Sequence, residues 1–194
     1  MDNEFAFGVF RETVYKFGLR LNDIVDQKQI DEILEFDEYI KAQKIVYKFL
    51  SYSNYTTNEI VQKLRKKKIK SSVIEKIIDN IVKQGLVNDY EYVKSYIESR
   101  KLNKPIGTKL LRLKLKNKGI NSETINTQIG ELYPPEVEKV VAEKVLDRYI
   151  KMLKEKDARK KREKCFRHLL SKGFDYDLII DVLRNKFEND FDKV

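Results

Sequence analysis

The sequence predicts an all-α protein of three tandem three-helix repeats forming an elongated curved stack, preceded by a small N-terminal strand-and-helix segment. Three observations predict it. Apolar residues from position 41 onward recur at intervals of three and four; a leucine, a basic turn and an apolar anchor recur along the chain; and the charge balance reverses near residue 40. At 194 residues the chain is long enough to bury a core, as one domain or as a run of small repeats.

The elements follow in chain order. Residues 1–40 hold ten acids and four bases, a net of −6, against +15 for the remainder. That shift marks a distinct acidic segment. Within it Phe5, Phe7 and Val9 alternate with Ala6 and Gly8, which predicts a short strand in need of a partner. Glu12 to Phe17, followed by Gly18, predicts one or two helical turns with a glycine stop. In repeat 1, residues 41–87, Ile45, Phe49 and Tyr52 mark the first helix. Thr56-Thr-Asn-Glu59 is a capping-box pattern that opens the second helix, which carries Ile60 and Leu64. Ser71 or Ser72 is expected to cap the third helix, whose stripe is Val73, Ile74, Ile77, Ile78, Ile81 and Val82, and Gly85 stops it.

In repeat 2, residues 88–134, Asp89 is expected to cap the first helix and Pro105-Ile-Gly-Thr108 to open the second. Leu113-Lys-Leu-Lys116 also fits strand alternation, but Ile106, Leu110 and Leu113, with Leu111 and Leu115, recur at three and four and decide for helix. Repeat 3, residues 135–194, starts at Pro134-Pro135, which suits a helix N-terminus. The units align on Leu64 to Ile69, Leu115 to Ile120 and Leu169 to Phe174, at offsets of 51 and 54 residues, and an apolar stripe follows each anchor. Each unit must then stack on a neighbour to bury its face.

Composition excludes several classes. One Cys and one His cannot supply a Cys/His zinc site or a disulfide framework. No run reaches the ~18 apolar residues of a membrane span, and no basic-then-apolar leader opens the chain. The expected setting is therefore the cytoplasm, with no membrane and no cofactor. The patterns G-x-x-x-x-G-K-[ST], G-x-G-x-x-G and G-x-S-x-G are all missing. Cys165 and His168 share a helical face, yet the neighbouring Phe166, Leu169 and Leu170 make Cys165 read as a small buried hydrophobe. No catalytic residue is assigned, and the chain is expected not to be an enzyme.

The excess charge is clustered. Six bases fall in the eight positions from Lys63 to Lys70, no acid lies between residues 99 and 122, and Lys154 to Arg167 hold eight bases against three acids. The candidate partner- or DNA-binding residues are Lys63, Arg65, Lys66 and Lys67 in repeat 1; Arg100, Lys104, Lys109, Arg112 and Lys116 in repeat 2; and Arg159, Lys160 and Arg162 in repeat 3. If the repeats stack in register, these form one stripe suited to a phosphate backbone or an acidic protein face. The competing reading is a solvated face, since cations near helix C-termini are favourable anyway at ~0.3–1 kcal/mol each. Tyr92 and Tyr96 could stack on unpaired bases. Their helical spacing with Val93 and Ile97 predicts packing against neighbouring helices instead.

Asn88-Asp-Tyr-Glu-Tyr92-Val-Lys-Ser-Tyr96-Ile-Glu-Ser-Arg100, then Gly107-x3-Leu111-x3-Leu115-x3-Gly119-Ile120, then Lys172-Gly-Phe174 followed by Ile179-Ile180 and Val182-Leu183, resemble the bacterial RecX family of regulatory proteins. Glu4-Phe-Ala-Phe-Gly-Val9 and Lys16-Phe-Gly-Leu19 resemble the entry segment of its Gram-positive members, so the similarity covers essentially the whole chain. The resemblance implies tandem three-helix repeats and a cytoplasmic modulator that binds in the groove of the RecA filament on single-stranded DNA. It also implies inhibition of ATP hydrolysis and strand exchange, without an active site. Weak contact with single- or double-stranded DNA and a monomeric state are expected. Lys68 stands where the other units have Gly119 and Gly173, which predicts a different turn in repeat 1. One alternative is a stand-alone helical DNA-binding protein of helix-turn-helix type, whose recognition helix would need Arg, Asn or Gln aimed at base edges, whereas these clusters are mostly Lys. A scaffold for an unrelated acidic protein is the third reading.

Overall fold

The computed structural model describes residues 7–188, which form ten helices: α1 (Arg11–Phe17), α2 (Gln27–Leu50), α3 (Thr57–Lys66), α4 (Ser71–Lys83), α5 (Asp89–Asn103), α6 (Thr108–Asn117), α7 (Ser122–Leu132), α8 (Pro135–Met152), α9 (Ala158–Ser171) and α10 (Tyr176–Glu188). The chain divides into two compact units, Met1–Asn88 and Asp89–Val194.

In the first unit the expected N-terminal strand is not found. Phe5 and Ala6 lie outside the described residues, and Phe7 to Phe10 are irregular. The physical reason is the missing partner: no strand occurs among the described residues, and a lone strand is not stable. Instead the Phe10 N–H and the Thr13 hydroxyl both donate to Asp37 Oδ1, at 2.6 and 2.7 Å, and hold α1 on α2. Gly18, at φ 63°, ends α1 as expected. Helix α2 starts well before residue 41. Asp26 opens it with a capping box, its carboxylate accepting from the Gln29 N–H at 2.8 Å while Gln29 Oε1 accepts from the Asp26 N–H at 3.0 Å. The charge shift near residue 40 thus falls inside one continuous helix.

The Thr56–Glu59 capping box opens α3 as its pattern predicts. Helix α4 corrects an expectation: Ser71 and Ser72 are its first residues, and Lys70 is the N-cap, with no side-chain cap bond. The Lys70 N–H donates across the unit to Glu38 Oε1 of α2 at 2.9 Å, the bond a glutamate three residues into the helix makes in a capping box. Ala42, Val46, Ile60, Leu64, Val73 and Ile77 are completely buried between α2, α3 and α4.

The second unit has one apolar core running through α5 to α10, with Val93, Ile97, Leu111, Leu115, Leu169 and Phe174 fully buried. Asp89, expected as a cap, is the first residue of α5. Pro134 is the N-cap of α8 and Pro135 its first residue. Helix α6 has no side-chain cap of its own. Glu138 of α8 serves it instead, accepting from the Thr108 N–H at 2.7 Å and from the Thr108 hydroxyl at 3.1 Å in a buried setting. Gly107 donates its N–H to the Lys172 carbonyl at 2.9 Å, and Lys109 donates to the Gly173 carbonyl at 3.2 Å. A Cβ on Gly107 would lie 2.3 Å from that Gly173 oxygen, so the approach requires glycine.

The recurring leucine, basic turn and apolar anchor is one backbone motif used three times. The N–H of Ile69 reaches the carbonyl of Leu64 (3.3 Å), that of Ile120 reaches Leu115 (3.2 Å) and that of Phe174 reaches Leu169 (3.4 Å). Inside each, Lys68 donates to Arg65, Gly119 to Lys116 and Gly173 to Leu170 at 2.8–2.9 Å. This is a Schellman cap, whose flanking apolar pair is buried each time. The turn in repeat 1 does not differ, contrary to expectation. Lys68 adopts φ 58°, in the left-handed region with Gly119 (81°) and Gly173 (82°).

Candidate functional site

The Schellman caps place Arg65, Lys66 and Lys67 at the end of α3 and Lys116 in the last turn of α6. On α3, Ile60 and Leu64 face the core, while Arg65, Lys66 and Lys67 are exposed and make no ion pair among the described residues. Lys63 is engaged differently: its ammonium lies 4.7 Å from the ring centres of both Phe49 and Tyr55. It clamps an aromatic pair and covers the edge of the core. On α6, Thr108, Leu111 and Leu115 are buried, which turns Lys109, Arg112 and Lys116 outward along one face. Of these, Lys109 pairs with Asp175 at 2.5 Å and holds that carboxyl below its usual range. Arg112 Nε donates to Asn126 at 3.4 Å, and Lys116 is exposed without an ion pair among the described residues.

Arg100 of α5 lies 4.8 Å above the Tyr96 ring, and Lys104 is exposed beyond the helix end. Tyr92 and Tyr96 stack on each other at 6.2 Å, half-buried, with Lys118 5.2 Å from the Tyr92 ring. Tyr96 packs against the core of the unit, in line with the packing reading. In α9 the bases sit elsewhere. Arg159 and Lys160 lie in its first turn and Arg162 soon after, with Asp157 capping the helix through the Lys160 N–H at 2.8 Å. The α9 cluster therefore occupies the opposite end of its helix from the cluster on α3, while the bases of α6 run the length of theirs. Cations at a helix N-terminus oppose the macrodipole, so helix stability does not account for them.

Cys165 is fully buried, and burial pushes its thiol pKa upward, away from thiolate character. His168 stacks on Tyr149 at 3.9 Å, and burial lowers its pKa. Among the described residues no group of three or more His, Cys, Asp or Glu is placed to hold a metal ion, and no helix is long and apolar enough to cross a membrane.

Sequence reasoning missed an apolar groove of about 960 Å³ between α9 and α10, with Phe166, Tyr176, Ile180, Leu183 and Phe187 along it. Its signal was present: Tyr176, Ile180, Leu183 and Phe187 recur at four, three and four residues. That stripe reads as core, and only the packing shows that part of it stays open.

These features define a helical-repeat protein with basic, largely unpaired surface clusters. Three models of the RecX family match successive parts of the chain: the first three-helix domain at residues 42–80, the second at 88–127 and the third at 138–183. The regulatory protein RecX of Leuconostoc mesenteroides is 32% identical over 98% of this chain and 71% of its own length. That of Clostridioides difficile is 32% identical over 97% of this chain and 88% of its own. A crystal structure of regulatory protein RecX superposes with a TM-score of 0.78 at 26% identity, covering 94% of this chain and 91% of that one. RecX from Lactobacillus salivarius gives 0.70 at 27% identity, over 77% and 96%. The chain belongs to the RecX family of regulatory proteins.

Proposed function

We propose that the protein is a non-enzymatic, cytoplasmic regulator that binds the RecA recombinase filament on single-stranded DNA and inhibits its ATP hydrolysis and strand exchange. The observation that carries this reading is the set of exposed bases on the second helix of each repeat, in a chain of a regulatory-protein family. In this account an acidic N-terminal segment (1–40) and three repeats (41–87, 88–134, 135–194) act as a monomer that lodges in the filament groove. Arg65, Lys66 and Lys67 on the end of α3, Arg112 and Lys116 on α6, and Arg159, Lys160 and Arg162 on α9 meet acidic recombinase surface or DNA phosphate. Lys63, Arg100 and Lys109 support this surface through the rings and carboxylate that hold them, and Lys104 adds charge at its edge. Occupying the groove blocks incoming duplex, or hinders the closing between subunits that turnover needs. No chemistry by this chain is required.

The test is RecA-catalysed ATP hydrolysis on single-stranded DNA, titrated with the protein at sub-stoichiometric and stoichiometric ratios, with DNA binding by the protein alone measured at two salt concentrations. Hydrolysis is expected to fall at ratios too low to coat the DNA, and binding to DNA alone to be weak and salt-sensitive. Unchanged hydrolysis together with tight duplex binding would instead identify a stand-alone DNA-binding protein.

A further inference from the structure

We propose that the groove between α9 and α10 is a docking site for an acidic amphipathic helix of another protein. The groove is long and apolar along its floor. Tyr176, Ile180, Leu183 and Phe187 follow one face of α10, and Phe166 answers them from α9. From Tyr176 to Phe187 the floor spans ~16 Å at 1.5 Å per residue, the length of three helical turns. A helix presenting apolar anchors one turn apart fits such a floor. Tyr176 is 57% exposed although its ring meets Phe166 edge-on at 5.5 Å, so the floor is organised but uncovered at that end.

The rim sets the charge of the occupant. Glu155 and Glu163 border the groove, but Lys164 neutralises the first at 2.7 Å and Arg167 pairs with the second. Lys156, Arg159 and Arg162 on the same rim make no ion pair among the described residues. The uncompensated charge is therefore positive, over a floor of alkyl and aromatic side chains. An acidic helix with an apolar stripe satisfies both features, whereas a phosphate backbone would leave the alkyl floor unused.

The other repeats show how specific this combination is. In the repeat alignment Val61, Arg112 and Phe166 are equivalent, as are Val82, Tyr133 and Phe187. The corresponding groove of repeat 1, between α3 and α4, is smaller, about 400 Å³, and its rim has no positive excess, with Arg65 facing Glu75 and Asp79 paired to Lys83 at 2.7 Å. In repeat 2, Arg112 takes the place of Phe166 and bonds to Asn126, while Tyr133 is buried with its hydroxyl on the Ile106 carbonyl at 2.9 Å. The inference does not depend on the partner being RecA.

The experiment uses the full chain and a fluorescein-labelled synthetic peptide of Glu with Leu and Phe at i, i+4 and i+7, compared with a scrambled peptide of the same composition, by fluorescence anisotropy. The patterned peptide is expected to bind about tenfold or more tighter than the scrambled one. The pair Arg159→Glu and Arg162→Glu, and separately Tyr176→Ala, should each weaken it by about tenfold while leaving the thermal melt of the protein unchanged. Equal binding of both peptides would overturn the proposal. So would loss in the charge-reversed pair with none in Tyr176→Ala, the result expected of a nucleic-acid face. Binding that appears only after residues 189–194 are deleted would assign the groove to the chain's own C-terminal segment and overturn it as well.

Discussion

Lys68 holds a backbone conformation that L-residues avoid at a cost of ~1–2 kcal/mol, and it does so because the Schellman cap of α3 demands it. Replacing it with glycine, as at the two equivalent turns, is expected to stabilise the first unit by about 1 kcal/mol, read as a higher urea midpoint at constant slope. An unchanged or lower midpoint would show that the Lys68 side chain compensates for its backbone. Gly173→Ala should act in the opposite sense, since a Cβ there would meet Leu110 at 2.3 Å. The leucine-to-anchor spacing is legible in sequence because the motif is local, closed by two hydrogen bonds within six residues. That Lys68 adopts the glycine conformation is not legible: the residue type argues against it, although the cap itself requires it. The ring clamp on Lys63 is not legible for a related reason, since it joins residues contributed by two helices and a loop.

Individual helices show the same division between local and distant causes. The Thr56 capping box and the glycine stops at Gly18 and Gly85 lie within a few residues of the ends they set, and sequence finds them. The start of α2 was also encoded, as Asp26 with Gln29. The charge reversal at residue 40 is a change of surface composition along α2, not a helix boundary. The N-terminus of α6 is capped from another element by Glu138, which no local pattern announces. Truncating that side chain leaves the Thr108 N–H and hydroxyl buried without an acceptor. Glu138→Ala is expected to cost about 2–3 kcal/mol in chemical denaturation, and Glu138→Gln, which keeps one acceptor, distinctly less. Equal, small losses in both would mean that solvent reaches Thr108. The basic cluster of α9 was legible as composition but not as position, because spacing alone did not reveal that it occupies the first turns of its helix.

At the scale of the molecule, the repeat logic and the all-helical class were readable because each unit repeats one apolar pattern and one cap. The open groove of repeat 3 was not, since an apolar stripe looks the same in sequence whether or not a neighbour covers it. The proposed control of a recombinase rests on the exposed bases that each repeat carries on its second helix, and α6 offers the cleanest place to test it. Lys109 is tied to Asp175 and is best left in place. Arg112 and Lys116 project from the same face and anchor little of the fold. The decisive measurement is RecA ATP hydrolysis on single-stranded DNA with equimolar wild-type protein or the Arg112→Glu/Lys116→Glu variant, each checked for helicity by circular dichroism. The account predicts suppression by the wild type and loss of about tenfold or more in potency for the folded variant. Full suppression by a folded variant would contradict it.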